Sequence, residues 1–557
     1  MKSFDVQITS RYGWICSKHD WGSVWIKGYV FGYKDLQDFA NILFKKIESA
    51  DQDHISNFLS NADGHFAIVI KTSKTFFAAV DRIRSIPLFY VEKSNDIIVT
   101  DQPTKLNCEL TKSDTASGLQ DRLMLQMSGY CSGSSTLLDG VKQLQSGEYL
   151  NVYDANKLKV HSFYNYIPIN PYYETSKSEL KKNLEVVSKN ILQKIIDHAD
   201  GRTIVVPLSG GYDSRLVASG FAHLGYKNVK CFSYGQKNNF ESLISKKVAK
   251  KLGYDWKFIE LTHEIVKKDY YSDLHKSYYS FCDTFASVPV EHEFSAVRLL
   301  KKSEWIPEDA IFVNGMSGDY LTGLHIPKTL INNREDLDDE ERKEQILEAL
   351  LDKHYSLWSC LETSENRKLV ADNLWKQIEK ETGGLTKNNN DDFGLYEFSE
   401  FKNRQSKYVI TVQRVYEFFG YEWRLPLWDK EYLDYWETID KKYKFDRNLF
   451  VEVMHQLDWG EVWSMKLPAP YITPRWISLF RLLIKGLFAF IGRDKWKLFD
   501  KKFFYYWTEI LCKMGVVSYS KVILDNRGYR NAVSWLSEDY LSRLDAKHEK
   551  KKFKKEK

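Results

Sequence analysis

Three glycine–acid segments hold the residues whose types and spacing could do chemistry. The first is Ile204-Val205-Val206-Pro207-Leu208-Ser209-Gly210-Gly211-Tyr212-Asp213-Ser214-Arg215-Leu216-Val217. A short β-rich apolar run enters a glycine turn, and the turn enters a helix-compatible stretch. Such a turn at a strand's carboxyl end aims backbone N–H groups and a helix N-terminus at one anion. Gly210 and Gly211 remove Cβ atoms that would block close approach. Ser209 and Ser214 add hydroxyl donors, and Asp213 offers a hard oxygen to Mg²⁺. The lysine and spacing of the GxxxxGK[ST] phosphate loop are missing. The second segment runs from Ile311 to Gly323 and carries Gly315, Gly318 and Asp319; the third, Gly420 to Asp429, carries Glu422 and Arg424.

The elements around these segments must position them. From residue 1 to about 165 the pattern is short β-rich runs, such as Val24–Ile26, Phe66–Ile70, Phe76–Val80 and Ile97–Val99. Turn residues separate them, and one helix-like stretch, Lys34 to Ile47, interrupts. This predicts a layered α+β domain rich in antiparallel sheet. Residues of about 166–180 read as a linker, and helical periodicity runs from Ser178 to Asp200. After the glycine turn come a helix, a strand Val229–Tyr234, a helix Ser242–Leu252 and the segment Trp256 to Leu261. Strands alternating with helices predict a doubly wound parallel sheet, with ligands beyond the carboxyl ends of its strands. Asn332 to Glu344 reads as a solvated helix or loop and Lys387 to Asp392 as a loop. From about 395 the chain reads as mainly helical.

A chain of 557 residues suggests two or more domains. Its net charge of +5 is too weak to imply a nucleic-acid partner. Seven cysteines are scattered without a CxxC pair, which fits a reducing compartment. The N-terminus lacks a signal-peptide pattern, and no run reaches the ~18 apolar residues of a membrane span. The expected location is cytoplasmic, with a peripheral membrane contact left open by the basic tail Lys547–Lys555.

The first segment resembles the SGGxDS loop of the N-type ATP pyrophosphatases (adenine nucleotide alpha hydrolase-like proteins). The other two resemble the second glycine–acid loop of asparagine synthetases and that family's G-x-E-x-R-x-P-hydrophobic-x-D signature. In the N-terminal part, Leu59 to Phe66 and Val80 to Tyr90 resemble the family's G-x-F-A and R-D-x-x-G-x-x-P-L-Y segments. The resemblance therefore implies an Ntn-type, glutaminase-like domain over 1–165 and an ATP pyrophosphatase domain over 178–470. A helical extension occupies 471–557. It also implies ATP and Mg²⁺: Asp213 and Asp319 would hold the metal, and Ser209, Gly210, Gly211 and Ser214 would cradle the pyrophosphate. Gly315 and Gly318 would shape the second loop, and Leu208, Ser233 and Tyr234 would lie against the adenosine. Glu241 matches a family acid, with an ordinary helix-start acid as its other reading. Glu422 would be base or orienter, and Lys466 falls near the family's catalytic lysine. Arg424 reads as structural, pairing with a carboxylate. The implied reaction is carboxylate adenylation followed by displacement of AMP by an amine or ammonia.

The chain departs from the family in two places. It starts Met1-Lys2-Ser3, without the N-terminal cysteine nucleophile of the glutaminase. The family's N-G-E-I-Y-N segment appears as Lys27-Gly28-Tyr29-Val30-Phe31-Gly32. No glutaminase activity is expected. In the second loop, family acids are replaced by Met316 and Tyr320, which argues against free aspartate as the acceptor. Relatives without a working glutaminase include β-lactam-forming synthetases, lasso-peptide cyclases and amide-forming enzymes of surface-polysaccharide pathways. A small or carrier-linked carboxylate is thus the expected substrate. The alternatives are a non-catalytic nucleotide- or partner-binding relic and asparagine synthesis proper. Finally, Trp476 to Ile491 is apolar but carries Arg481 and Lys485, which share one helical face. It is too short and charged to span a bilayer, and reads either as a packing helix or as one lying in the membrane interface.

Overall fold

The computed structural model describes residues 3–49, 51–93, 96–106, 108–111, 115–153, 157–169, 175–332, 337–466, 475–488 and 492–555. Parts of the expected linker and of the 332–344 and 476–491 segments fall outside them, as do the side chains of the basic tail.

The N-terminal strands are β1 (Ser3–Gln7), β2 (Ile15–His19), β3 (Gly22–Val30), β4 (Gly64–Lys71), β5 (Thr75–Val80), β6 (Phe89–Glu92), β7 (Asp96–Thr100), β8 (Val141–Gln143), β9 (Glu148–Tyr153) and β10 (Lys159–Ser162). They form an antiparallel sheet in the order β10-β9-β5-β4-β3-β2 and a smaller one in the order β1-β7-β6-β8, where β1 runs parallel to β7. Successive side chains of a strand face opposite ways. Phe66, Ile68 and Ile70 of β4 therefore meet helices α1 (Leu36–Glu48) and α2 (Gln52–Asn61) through Phe39, Leu43, Ile47, Ile55 and Leu59. Ala67 and Val69 point the other way, into the core shared with Tyr90, Ile97 and Val99 of the smaller sheet. The outer face of that sheet, Phe89 and Val91, packs on Leu125 of α3 (Ala116–Ser128). It also packs on Leu536, Tyr540, Leu541 and Leu544 of the last helix, Ala532–Lys555. The result is four layers, helix–sheet–sheet–helix, the outermost built partly from the chain's C-terminus.

The sequence predicts one helix among these strands, and the structure has three. In α2 only Ile55 and Leu59 are buried, a single i, i+4 pair among polar residues, so its periodicity is weak. Its start is set by Asp51, whose side chain accepts from the backbone N–H groups of Asp53 and His54.

The second unit begins with α4 (Lys177–Ala199) and holds β11 (Ile204–Pro207), β12 (Val229–Gly235), β13 (Asp255–Glu260), β14 (Ile311–Val313) and β15 (Glu422–Arg424). All neighbours pair in parallel, in the order β13-β12-β11-β14-β15. The chain winds outward on one side of β11 and returns on the other. The crevice beyond the carboxyl ends of β11 and β14 is thus the topological switch point of the sheet. Helices α5 (Tyr212–His223) and α6 (Phe240–Leu252) follow β11 and β12. Asn239 caps α6 through its bond from the Ser242 N–H at 2.8 Å, whereas no side chain caps α5 at Gly211.

The C-terminal region is not a simple appendage. Gln236, just past β12, donates its backbone N–H to Ile510 O at 2.7 Å and its side-chain amide to Trp507 O and Glu509 O. Gly235 has φ +121°, and a Cβ there would lie 2.4 Å from Ile510 O. That close approach of two backbones is what demands glycine. Among the described residues no helix is long and apolar enough to cross a membrane.

Candidate functional site

A cavity of about 860 Å³ opens at the switch point. Its walls come from the β11 turn (Leu208, Ser209, Asp213, Ser214), the end of β12 (Ser233, Tyr234), the β14 turn (Asn314, Gly315, Met316, Ser317, Asp319), Glu241, Glu293 and Leu511.

The β11 turn is internally braced. Ser214 Oγ accepts from the Ser209 N–H at 3.1 Å, and Ser209 Oγ accepts from the Gly211 N–H at 3.1 Å. Arg215, buried behind the turn, donates to Gly210 O and to the carbonyls of Val462 and Met465. The second loop packs directly on the first. A Cβ on Gly315 would sit 2.8 Å from the Asp213 backbone, and one on Gly318 would sit 2.5 Å from Asp213 Oδ1. Both glycines therefore permit the contact that brings the two acids together: the Asp319 N–H donates to Asp213 Oδ2 at 3.1 Å.

The acids differ in acidity. Burial raises the Asp213 carboxyl to about 6, against the pull of Arg447, with Asp319 adding repulsion. Burial also opposes ionisation of Asp319, yet His325 and Arg447 outweigh it and hold the group at about 2. Arg447 forms an ion pair with Asp213 Oδ1. His325 Nε2 lies 3.3 Å from Asp319, and its Nδ1 lies 2.6 Å from Glu400. Burial disfavours its charge, but Glu400 and Asp319 overcome this and raise it to about 9. Glu400 also meets His354 at 3.0 Å and Arg404 at 3.3 Å. The acid pair is thus flanked by two cations, Arg447 and His325.

On the opposite side of the cavity, burial raises both carboxyl groups, Glu293 and Glu241. Glu293 is fully buried, and burial pushes it up to about 7 against the hydrogen bond from Tyr416. Tyr416 OH donates to it at 2.5 Å and accepts from Asn314 Nδ2 at 2.8 Å, while Tyr234 OH approaches at 3.5 Å. Ser233 Oγ is buried without a hydrogen-bond partner. Glu241, raised by burial, accepts from the Gly210 N–H. An orphaned hydroxyl and a poised carboxylic group in one pocket leave hydrogen-bonding capacity for a polar ligand.

The structure brings Leu208, Ser209, Asp213, Ser214, Ser233, Tyr234, Gly315 and Asp319 onto one cavity, with Gly210, Gly211 and Gly318 just behind its walls. Glu422 and Lys466 lie elsewhere, and both catalytic readings are corrected. Glu422 starts β15 and pairs in register with Ile311, at the amino-terminal edge of the parallel sheet. There Arg202 at 2.6 Å and Arg424 at 2.9 Å hold it, and these cations with their bonds keep its carboxyl low despite burial. Lys466 shares an open depression with Lys247, Lys250 and Lys251 on α6 instead. Glu293, Arg447, His325 and Leu511 escaped the sequence reading. The run Val288-Pro289-Val290-Glu291-His292-Glu293, charge inside an apolar stretch, was a signal for Glu293. Arg447 sits at φ +63° after a kink and had none.

Asp213 and Asp319 fit a magnesium ion. Mg²⁺ is commonly held by one or two carboxylates, with water and substrate phosphates completing its octahedron. Among the described residues no cluster of three or more His, Cys, Asp or Glu could cage a metal alone.

A second, far smaller cavity, about 210 Å³, lies between the N-terminal sheet and the second unit, lined by Tyr29, Phe31, Asp63, His65, Leu425, Pro426 and Asp429 among others. Tyr29 OH and His65 Nδ1 are 2.6 Å apart, His65 Nε2 meets Trp428 O at 3.3 Å, and the Arg424 guanidinium stacks on Tyr29 at 4.2 Å. Beside it Lys27 pairs with Glu417 at 2.9 Å, both nearly inaccessible. Lys194 ties Asp63 at 2.6 Å to Asp429 at 2.9 Å.

Comparison with known proteins bears on the larger cavity. No curated protein matches the chain. Among solved structures, it is similar to a glutamine phosphoribosylpyrophosphate amidotransferase from B. subtilis complexed with ADP and GMP. The identity is 13%, over 45% of this chain and 73% of that one, with a TM-score of 0.17. It is also similar to an allosteric regulatory enzyme of purine biosynthesis, at 14% identity over 54% of this chain and 56% of that one, TM-score 0.15. The asparagine synthase family model matches residues 199–457, the span that carries the β11 and β14 turns, Asp213, Asp319 and Arg447. That span is thus an asparagine synthase-like domain within the chain.

Proposed function

We propose that this chain is an AMP-forming carbon–nitrogen ligase: it adenylates a carboxylate with ATP and transfers the acyl group to an amine or ammonia. The observation that carries the reading is the 860 Å³ cavity at the switch point, with its acid pair at one end and an orphaned polar lining at the other. The triphosphate lies along the β11 turn, with Ser209, Ser214 and the uncapped start of α5 facing the departing pyrophosphate. Magnesium bound at Asp213 and Asp319 supplies charge neutralisation for the phosphates. Arg447 and His325 add positive charge beside it. A substrate carboxylate oxygen attacks the α-phosphorus, the bond to the pyrophosphate oxygen breaks, and an acyl-adenylate forms. The amine nitrogen then attacks the acyl carbon, the bond to the AMP oxygen breaks, and the nitrogen's proton leaves to a base.

Glu293 is the nucleobase reader in this scheme. With Tyr234, Leu208 and Ser233 against the adenosine, its carboxylate accepts from the exocyclic amine of adenine. A guanine carbonyl in the same place would meet a carboxylate, oxygen against oxygen.

The N-terminal unit is a degenerate glutaminase-like domain. Where a glutamine pocket would lie, Tyr29, His65 and Arg424 fill the space, and Lys27 is committed to Glu417. Domain boundaries of 1–165 and 178–470 follow, but residues 505–546 belong to both cores rather than to a separate extension. A second reading, a nucleotide-binding relic, is favoured by one feature: Arg447 already occupies one oxygen of Asp213. Glutamine-dependent asparagine synthesis is disfavoured by the filled pocket.

Calorimetry with ATP and Mg²⁺, followed by ATP–pyrophosphate exchange with candidate carboxylates, tests the reading. Wild type is expected to bind and exchange, and Asp213→Ala is expected to lose at least about 100-fold in exchange, the scale of a lost phosphate-charge clamp. Absence of binding by folded wild type overturns the nucleotide site, and binding without exchange for any carboxylate favours the relic.

A further inference from the structure

The helix Arg475–Leu487 is apolar on two sides, and the structure covers only one of them. At about 100° per residue, Ile477, Arg481, Ile484 and Phe488 fall on one face. That face packs on Trp496 and Phe499 of the next helix, Arg493–Phe503, and on Phe504. Away from it lie Trp476, Leu479, Leu482, Leu483 and Leu487, each between 64% and 68% exposed, with Phe480, 54% exposed, at the edge where its ring meets Phe504. Surface leucines scattered singly need no explanation, but six large apolar side chains on one 13-residue helix form a contiguous patch that water disfavours.

The rim of the patch identifies its occupant. Between residues 476 and 502 there are seven basic residues (Arg481, Lys485, Arg493, Lys495, Lys497, Lys501, Lys502) and two acidic ones (Asp494, Asp500). Arg481 is ion-paired with Asp500 and Lys497 with Asp494, which neutralises both acids, while Lys485, Arg493 and Lys495 remain exposed. A second copy of this chain docking face to face would set these cations against themselves. An anionic bilayer satisfies both halves: acyl chains take the apolar stripe and headgroups take the basic rim.

We infer that the outward face of this helix is a docking surface for an anionic membrane, on which the helix lies in the plane of the interface. The helix pair leads through Tyr505–Thr508 into Leu511, which lines the nucleotide cavity.

Flotation of the full chain with vesicles tests the inference independently of any ligase activity. Wild type is expected to float with phosphatidylcholine vesicles containing phosphatidylglycerol, about tenfold more than with phosphatidylcholine alone, since each basic residue near the surface contributes about a tenfold step or less. The doubly substituted L479E/L483E chain is expected to lose at least about tenfold in flotation, as charge enters the apolar stripe. Its unfolding temperature and ATP binding should stay at wild-type values, because both leucines are largely exposed. K485E/R493E/K495E should remove the preference for anionic vesicles. Wild type that floats with neither vesicle overturns the inference, as does L479E/L483E that floats like wild type. A wild-type dimer that L479E/L483E converts to monomer, without flotation, assigns the face to a second copy and also overturns it.

Discussion

The two cavities of this protein were put together from similar materials and have opposite states of satisfaction. Near Tyr29 most polar groups have found one another: tyrosine with histidine, lysine with glutamate, arginine on an aromatic face, with Asp63 Oδ1 and Arg424 Nε left over. About 210 Å³ of space remains. At the switch point two carboxylates face each other across one N–H bond, a serine hydroxyl has no partner, and a buried glutamate sits near its titration point. A pocket whose groups are mutually paired is a piece of core, whereas one that keeps polar groups unpaired in a low-dielectric wall is held ready for a ligand. The difference points to the switch-point cavity as the place for the proposed ligand.

The largest way to break that comparison is in the smaller cavity. Lys27→Met leaves Glu417 buried beside Trp423 with only Arg414, at 3.5 Å, as counter-charge. Removing one partner of a buried pair costs about 3–5 kcal/mol, so chemical denaturation should show a loss of that order. ATP binding by the native protein should be unchanged. A stability change under about 1 kcal/mol would mean that the interface is not the packed core described above.

Next in size is Glu293→Gln. Losing a hydrogen bond to a charged acceptor is worth about 1.5–3 kcal/mol, so ATP affinity should fall about tenfold or more and the preference for ATP over GTP should narrow. The sign with pH is fixed. Burial raises this carboxyl to about 7, so the accepting, ionised form appears only as pH rises through that value. Wild-type ATP affinity should climb from mildly acid to mildly basic pH and then level off, while the glutamine variant stays flat. A titration in which both follow the same curve removes Glu293 from the nucleobase site.

The smallest effect sharpens the contrast within one sheet. Glu422→Gln should change the exchange rate by less than about twofold and stability by at most about 1 kcal/mol, because its pairs with Arg202 and Arg424 are half exposed. A large kinetic loss would restore the role first read for it.

Glu422 also shows where the sequence stopped being informative. The parallel sheet, its winding and the β11 and β14 turns were legible because glycine, hydroxyl and acid occur at fixed offsets after a strand, and local backbone geometry fixes what such offsets do. A signature such as G-x-E-x-R is equally visible, but which edge of the sheet it reaches depends on the direction of β15 beside β14, a long-range pairing with no local code. Lys466 failed for the same reason. Arg447 and His325 reach the acid pair from distant segments, and only the folded chain brings them there. Helix α2 was missed for want of apolar residues, and the exposed face of the Trp476 helix was invisible because apolar periodicity does not say which side gets covered.

The joint between Gln236 and Ile510 has a consequence for how the molecule is made. A ribosome releases β11, β12 and their turns long before residues 505–546 exist, yet Leu511 helps wall the switch-point cavity and Leu536, Tyr540, Leu541 and Leu544 cover the outer face of the smaller sheet. Until then Phe89 and Val91 have only part of their cover, from earlier residues such as Leu125 of α3. Contacts that join such distant parts of a chain form slowly. Assembly of that cavity is thereby coupled to synthesis of residues 505–546, and a chain that stops before them leaves part of a sheet face for chaperones or proteases to grip.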